Sequence, residues 1–249
     1  METVEITGSS PADEFIKVAR CYSTYRGVAN TEFDLIPTIG RFENYSPAME
    51  QMVFAEFRDL ARPHFPESNR TEWEWLFLAQ HYGLPTRLLD WTSSLLTSLY
   101  FASLGTSPSD FAVFAIQTGT WSEYPKQQHP LSSNISYFLR PPHIDQRITA
   151  QNAFFSIHDR PNIPWRPENL VRFVFRGEDR DSVQWALRFL GITHRTVFPD
   201  IGGVIQDIVH DIPGICNPPT PRQTMIQPAP NRVGTGIEPA PPTPPTIRV

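Results

Sequence analysis

The sequence contains only two cysteines in 249 residues, no long apolar run and no excess of positive charge. Cys21 and Cys216 are not part of any C-x-x-C pair, which argues against a disulfide-rich scaffold and against a cysteine-based metal site. The first residues lack the cationic start and apolar core of a signal peptide, and no apolar run reaches the length of a membrane span. We therefore expect a soluble cytoplasmic protein that does not bind membranes.

The charge balance is mildly acidic. The formal net charge is -5 and the sequence pI is about 5.8. Proteins that bind nucleic acid nonspecifically usually carry a basic excess or a basic patch. The composition therefore gives no support to nucleic acid as a partner, although it does not exclude it.

Several common catalytic motifs are also missing. The seven histidines form no H-E-x-x-H pair, and the chain has no G-x-S-x-G elbow, no G-x-x-x-x-G-K-[ST] phosphate loop and no G-x-G-x-x-G fingerprint. Zinc protease, serine hydrolase, P-loop NTPase and Rossmann dehydrogenase functions therefore lack the residues that carry them. We predict no metal site and no resident cofactor.

The chain has enough apolar residues to form the core of one domain, since 40% of its residues are hydrophobic and 12% are aromatic. We predict an N-terminal extension over 1–12, a domain over 13–211 and a disordered proline-rich tail over 212–249. Eleven of the 26 prolines fall in that tail. Such a segment cannot bury enough surface to offset its ordering entropy, and it would serve either as a solubilising tail or as a docking segment for a partner protein.

Hydrophobic periodicity predicts both helices and strands in the domain. The predicted helices cover 13–20, 46–62, 73–79, 94–104, 180–190 and 200–209, and the predicted strands cover 22–27, 111–117, 153–158 and 170–175. Residues 118–142 are predicted to form a long loop. The pattern favours an α+β fold in which helices flank a mixed or mainly antiparallel sheet.

The most informative segment is the polar run at 80–92, which reads QHYGLPTRLLDWT and lies between two apolar helical segments. Polar groups that are carried into a core must be hydrogen-bonded or paired. We therefore expect the functional site at this run, which is predicted to join the two helices.

Four charged or titratable side chains are candidates for that site. Arg26 is predicted at a strand end, where a guanidinium can bind a phosphate or carboxylate, and Gly27 permits a close backbone approach. Arg87 and Asp90 are three residues apart and would face each other on a helical turn, either as a structural bridge or for catalysis. Asp90 could equally cap the next helix. His81 is a candidate acid or base, or a core residue.

Two aromatic residues and one glutamine can each be interpreted as part of the site or as purely structural. Trp91 and Tyr82 could stack on a base or nicotinamide ring, or simply fill the core. The amide of Gln151 would lie near the same pocket if its strand neighbours that of Arg26, or it is an ordinary ladder residue.

The order of these motifs closely resembles the FRG domain family, a bacterial and phage group. The matching segments are Tyr25-Arg26-Gly27, the run at 80–92, Leu99-Tyr100-Phe101-Ala102, Arg147-Ile148 with Gln151, and Phe198-Pro199-Asp200. The resemblance spans roughly residues 19–210. A second Phe175-Arg176-Gly177 has no polar run after it, and we treat it as a chance repeat.

The FRG-like segments are in turn similar to ADP-ribosyltransferases, which bind NAD with a residue at the end of their first core strand. This resemblance implies a ligand-binding set and a catalytic set. The ligand-binding set is Tyr25, Arg26, Gly27, Thr86, Arg87, Trp91 and Tyr100, and the catalytic set is His81, Asp90 and Gln151. NAD would be the substrate, with Arg26 on its pyrophosphate. Those enzymes usually carry a glutamate where this chain has Gln151, so Asp90 would have to substitute for it or transfer would be weak.

Two other functions remain open. One is a noncatalytic module that senses a small anion or nucleotide in a phage-defence or toxin-like system. The other is a purely structural network among Arg26, His81, Arg87 and Asp90. A common solvent-reachable hollow would favour ligand binding or catalysis, whereas complete burial of all four would favour the structural network.

Overall fold

The fold is taken from a computed structural model, which describes residues 1–65, 69–105, 108–119, 122–141 and 146–212. The predicted disordered tail lies outside these residues except for Ile212.

The described residues form eight α-helices and eight β-strands. The helices are α1 (Pro11–Ala19), α2 (Pro47–Ala61), α3 (Glu72–His81), α4 (Leu95–Ser103), α5 (Gln146–Ala150), α6 (Arg180–Phe189), α7 (His194–Val197) and α8 (Ile201–Asp211). The strands are β1 (Glu2–Ile6), β2 (Thr24–Val28), β3 (Leu88–Thr92), β4 (Phe111–Ile116), β5 (Ser122–Glu123), β6 (Tyr137–Arg140), β7 (Ala153–Ile157) and β8 (Val171–Phe175).

All eight strands belong to one sheet with the order β1-β8-β4-β2-β3-β7-β6-β5. The pairs β1–β8 and β5–β6 are parallel, and the other neighbours are antiparallel. The prediction of an α+β fold with a mixed, mainly antiparallel sheet is confirmed. Edge strand β1 was not predicted, because its five residues, ETVEI, do not alternate strictly between polar and apolar side chains.

Helices cover one face of the sheet and loops cover the other. On the helical face, Phe15 of α1, Leu99 of α4 and Leu187 of α6 pack with apolar residues of β4 and β8. Helix α3 packs farther along the same face, where Phe77 stacks on Phe155 of β7. Both α3 and α2 begin at side-chain caps, with Thr71 in a capping box and Ser46 accepting from the backbone N–H of Met49.

The opposite face is covered by the loops before α2 and after β7. Leu35 and Trp165 from these loops pack against Trp91 and Phe114 of the sheet, and the backbone N–H of Trp165 donates to Leu35 O. Because side chains alternate across a strand, Arg26 projects to this loop-covered face while Tyr25 and Gly27 face α4.

Gly27 lets helix α4 approach strand β2 very closely. A Cβ atom on Gly27 would lie 2.0 Å from the backbone O of Ser98 and 2.5 Å from the backbone N of Ala102. The close approach expected at this glycine is therefore made by α4 of the same chain. Gly27 serves the packing of the sheet and is not available to a ligand.

Two predictions around the polar run are wrong. The run does not simply join two helices, because residues 88–92 form strand β3 in the middle of the sheet. Leu89 and Trp91 pack on the loop-covered face and Leu88 packs on the helical face. Side chains that alternate between the two faces in this way are typical of a strand. In the predicted helix 46–62, the helical spacing places Met52 and Leu60 on the apolar face and Glu50 on the opposite, solvent face. In the structure Glu50 is buried, while Met52 and Leu60 are exposed.

Candidate functional site

The candidate site lies where strands β2 and β3 stop pairing. Only Tyr25 and Thr92 are paired between these described strands, whereas β2 forms five residue pairs with β4 and β3 forms five with β7. The Arg26 side chain lies beside this break, and its Nη1 donates to the backbone O of Asp90 at 2.5 Å. A polar gap thus opens near the centre of the sheet.

Arg26 is a largely buried guanidinium with unused donors. Its side chain is 14% exposed, and its Nη1 lies 3.9 Å from Oδ2 of Asp90. Among the described residues, the bond to the Asp90 carbonyl is its only hydrogen bond. Burial lowers the pKa of Arg26 to about 10, Asp90 opposes this, and Arg41 adds to it. The group stays charged at neutral pH and retains N–H donors for an anion.

Arg41 is a second guanidinium at this site, and it was not predicted from the sequence. Its Nε donates to the backbone O of Ile36 at 2.9 Å, which is its only hydrogen bond to the described residues. Burial lowers the pKa of Arg41 and Asp90 opposes the shift. Arg41 ends a short 3-10 helix, Thr38–Arg41, which is held to the polar run by a bond from Ile39 N–H to Thr86 O. No local motif marks this position, since the loop reaches the site only through the tertiary fold.

Asp90 supplies the exposed carboxylate of the site. Its side chain is 55% exposed, and its Oδ2 accepts a 2.9 Å hydrogen bond from Nε2 of Gln80. The backbone N–H of Leu88 donates to Oγ1 of Thr86, which in turn donates to Oε1 of Gln80 at 2.6 Å. Since the Asp90 carboxylate can only accept, Gln80 must turn its NH2 group to Asp90 and its Oε1 to the Thr86 hydroxyl, which fixes the orientation of the Gln80 amide. Thr86 and Gln80 therefore position the Asp90 carboxylate.

Arg87 does not pair with Asp90, contrary to the predicted bridge. Its Nε and Nη2 donate to Oε1 and Oε2 of Glu50 at 2.8 and 2.7 Å, and both side chains are buried. Tyr45 OH also donates to Oε2 of Glu50 at 3.0 Å. Asp90 lies on an extended strand, where residues three apart project to opposite faces. Arg87 therefore ties α2 to the sheet and is closed to a ligand.

His158 is a buried histidine close to Arg26 and Arg87. Trp91 Nε1 donates to Oγ of Ser156 at 2.9 Å, and Ser156 Oγ lies 2.8 Å from Nε2 of His158. The tautomer of the imidazole sets which of Ser156 and His158 donates in this second bond. Burial and the two guanidiniums lower the pKa of His158 to about 3, with Asp159 opposing. The ring is neutral at physiological pH.

We expect this neutral histidine to make the domain less stable in acid. The unfolded chain takes up a proton on His158 below pH 6.5, but the folded protein does so only near pH 3. Stability from this group is therefore complete at neutral pH and is lost as the pH falls through that interval, by roughly 2 to 3 kcal/mol between pH 6.5 and 4.5. Urea unfolding at several pH values measures the slope.

The matched variant for that measurement is His158→Gln, whose amide oxygen can accept the Ser156 hydroxyl but does not titrate. The variant should show a shallower loss of stability between pH 6.5 and 4.5 than the wild type. Equal slopes for both proteins would contradict a buried neutral histidine.

Three predicted ligand-binding aromatic residues lie in the interior. Tyr25 OH donates to the backbone O of Ala19 and Tyr22. Trp91 is buried and donates to Ser156, and Tyr100 is buried against His194, with which its hydroxyl forms a hydrogen bond. Core filling, the alternative weighed for Trp91, agrees with its burial. A ligand role for these three residues stays a prediction that no contact supports.

Gln151 and His81 have hydrogen-bond and ring partners other than Arg26 and Asp90. Nε2 of Gln151 donates to the backbone O of Val197, and its backbone O accepts from Thr92 Oγ1. His81 ends α3, is half-buried and has its ring 5.0 Å from the ring of Tyr82. Their catalytic roles remain predictions without a shared geometry.

The motifs at 147–151 and 198–200 form a second cluster, which holds the C-terminal helices against the rest of the domain. Arg147 Nε donates to Oδ2 of Asp200 at 3.0 Å, and its guanidinium carbon lies 5.4 Å from the ring centre of Phe198. The Phe198 ring also packs at 5.9 Å from that of Phe101. Asp200 caps α8 through the backbone N–H of Gly203. These motifs thus stabilise the fold around α4 and α8.

Comparison with known families identifies the part of the chain that carries the site. The sequence model of the FRG domain matches residues 22–110. The chain contains an FRG domain. The matched part of the FRG domain includes Arg26, Arg41, Gln80 and Asp90, whereas the late motifs at 147–151 and 198–200 lie beyond it. No curated protein matches the chain, and no solved structure does.

No three histidine, cysteine, aspartate or glutamate side chains of the described residues are grouped so that they could hold a metal ion. None of the helices described is both long and apolar enough to cross a membrane.

Proposed function

We propose that this FRG domain binds a nucleotide at the break between β2 and β3, with Arg26 and Arg41 on its phosphate groups. The observation that carries the proposal is a pair of guanidiniums that both act with Asp90, each using one N–H toward the described residues. Guanidinium forks match the geometry of phosphate oxygens and bind them in a bidentate manner.

The charge balance of the site supports an anionic ligand. Arg87 is neutralised by Glu50 and His158 is neutral, whereas Arg26 and Arg41 both interact electrostatically with the Asp90 carboxylate. An anion between the two guanidiniums would relieve their mutual repulsion. In a partly buried site such an attraction is stronger than in water.

The position of Asp90 supports a nucleotide over a simple anion. Its half-exposed carboxylate is an acceptor, held in place by Gln80, and acidic side chains commonly accept hydrogen bonds from ribose hydroxyls. A ligand with phosphate oxygens and sugar hydroxyls would satisfy both the arginines and the aspartate. This is the sensor function among the alternatives, and it would suit a phage-defence or toxin-like system.

A thermal-shift screen of the full chain tests this proposal. NAD, ADP-ribose, ATP and inorganic phosphate are the probes, and at least one nucleotide should raise the melting temperature, since a ligand at 100 times its Kd adds about 2.7 kcal/mol. Arg41→Lys should lose most of this shift, because lysine lacks the planar fork. Arg176→Lys, at an exposed arginine paired with Glu178, is the control and should keep it.

A second candidate, ADP-ribosyl transfer from NAD, is favoured by the place of Asp90 beside Arg26. On this hypothesis Arg26 holds the pyrophosphate and the Asp90 carboxylate faces the ribose carbon as positive charge develops there. The glycosidic bond to nicotinamide breaks, nicotinamide leaves with the bonding electrons, and a nucleophile of the acceptor attacks the ribose carbon. Asp90 would thus take the role for which Gln151 is unsuited.

Release of nicotinamide from NAD distinguishes the two candidates. If the domain is an enzyme, Asp90→Asn should bind NAD as the wild type does but release nicotinamide at least about 100-fold more slowly. If it is a sensor, the wild-type protein binds nucleotide and releases no nicotinamide. A protein that neither binds nor cleaves any of the probes contradicts both.

A further inference from the structure

Helix α8 carries a stripe of apolar side chains on its solvent side. The stripe consists of Ile201, Val204, Ile205, Ile208 and Ile212, which are 40–75% exposed. Their spacing of three or four residues is that of one helix face. The opposite face of α8 is already used, because Gly203 and Asp207 are buried against the helix α7 region.

A pair of exposed aromatic rings lies on the neighbouring helix. Trp185 and Phe189 of α6 are 71% and 81% exposed, and their rings stack with centroids 5.9 Å apart. Arg188, on the same helix, lies 3.5 Å from Asp207 of α8 and also pairs with Asp211. Arg188 thus reaches from the C-terminal end of α6 to the C-terminal half of α8.

We propose that this α6–α8 face is the interface of a two-fold dimer of the chain. Its seven exposed apolar side chains offer on the order of 800 Å2, which is about what each partner contributes to a stable interface of standard size.

The shape and charge of the face fit a second copy. A straight apolar stripe on a helix packs well against another such stripe, and a two-fold axis brings the two α8 helices together antiparallel with the same residues on both sides. The rim carries both signs of charge, since the side chains of Arg195 and Asp211 are 68% and 62% exposed. Each copy can therefore set positive groups against negative groups of the other.

The chain after α8 is a poorer occupant for this face. Residues 213–249 include no aromatic residue, and prolines leave no run longer than eight residues free of them. Such a sequence offers no aromatic side chain, and its prolines do not favour a helix long enough to match the stripe. A second copy supplies both.

Sedimentation velocity of the full chain tests the dimer. The wild type should sediment at twice the chain mass of 28.4 kDa, and Ile208→Asp should sediment as a monomer with an unchanged circular dichroism spectrum, since this side chain is exposed in the single chain. Met52→Asp is the matched control, because Met52 is also exposed but lies on α2. It should remain dimeric.

Disulfide trapping tests whether the two-fold axis of the dimer passes close to α8. In a background with Cys21→Ser and Cys216→Ser, Ile208→Cys should form a covalent dimer on mild oxidation, and Met52→Cys should not. A wild-type protein that is monomeric at its highest soluble concentration overturns the proposal and points to the tail or another protein as occupant. A dimer that survives Ile208→Asp overturns it as well. Nucleotide binding at Arg26 is measured separately and does not bear on either outcome.

Discussion

Gly27→Ala is expected to unfold the domain or to lower its free energy of unfolding by about 3 kcal/mol or more. The added Cβ would lie 2.0 Å from the backbone O of Ser98 and 2.5 Å from the backbone N of Ala102. Both atoms belong to the backbone of α4, so no side-chain rotation can relieve the overlap. The helix would have to move away from β2, and Tyr25 and Leu99 would lose their packing.

Chemical unfolding followed by circular dichroism measures this effect. Gly119→Ala is the control, because a Cβ there meets nothing within 4 Å, and it should change the stability by less than about 0.5 kcal/mol. A Gly27→Ala protein as stable as the control would show that α4 does not lie against β2 as described.

Glu50→Ala is the second substitution with a large expected effect. It leaves the buried Arg87 guanidinium without its carboxylate, and removing one partner of a buried ion pair costs about 3 to 5 kcal/mol. Glu178→Ala breaks an exposed pair with Arg176 and should cost less than about 1 kcal/mol. Urea unfolding of both variants provides the comparison.

Replacing both partners distinguishes the loss of the Glu50–Arg87 attraction from the cost of leaving one buried charge unpaired. The double variant Glu50→Met/Arg87→Met should recover most of the stability that Glu50→Ala loses, since no unpaired charge remains in the core. If instead the double variant is as unstable as the sum of the single variants, Arg87 does more than balance Glu50.

The sequence predicted those parts of the fold that depend on local patterns. Helices α3 and α4 and strand β4 were found because their apolar runs are long and bounded by caps or turns. Strand β3 was not predicted, because the segment Leu88–Thr92 is only five residues long and has the charged Asp90 at its centre. These residues form a strand because they pair with β2 and β7. A local sequence pattern contains no information about such neighbours.

The same contrast holds for the candidate site. Arg26 and Asp90 were predicted, and the structure brings them together. Arg41, Glu50 and His158 were not, because each reaches the site from a loop, a helix or a strand end that is distant in sequence. Glu50 was misplaced because a helix that buries one ion pair and leaves Leu60 exposed reverses the usual apolar pattern.

Isothermal titration of a nucleotide into the wild type and into Arg26→Lys tests the central claim most directly. Lysine keeps the positive charge but not the planar fork, so we expect the nucleotide to bind the wild type and to bind the variant at least about 10-fold more weakly, the equivalent of about 1.4 kcal/mol. The circular dichroism spectrum of the variant should match that of the wild type. Equal affinities for the folded variant and the wild type, or no heat of binding to the wild type with any nucleotide probe, would contradict a nucleotide site between β2 and β3.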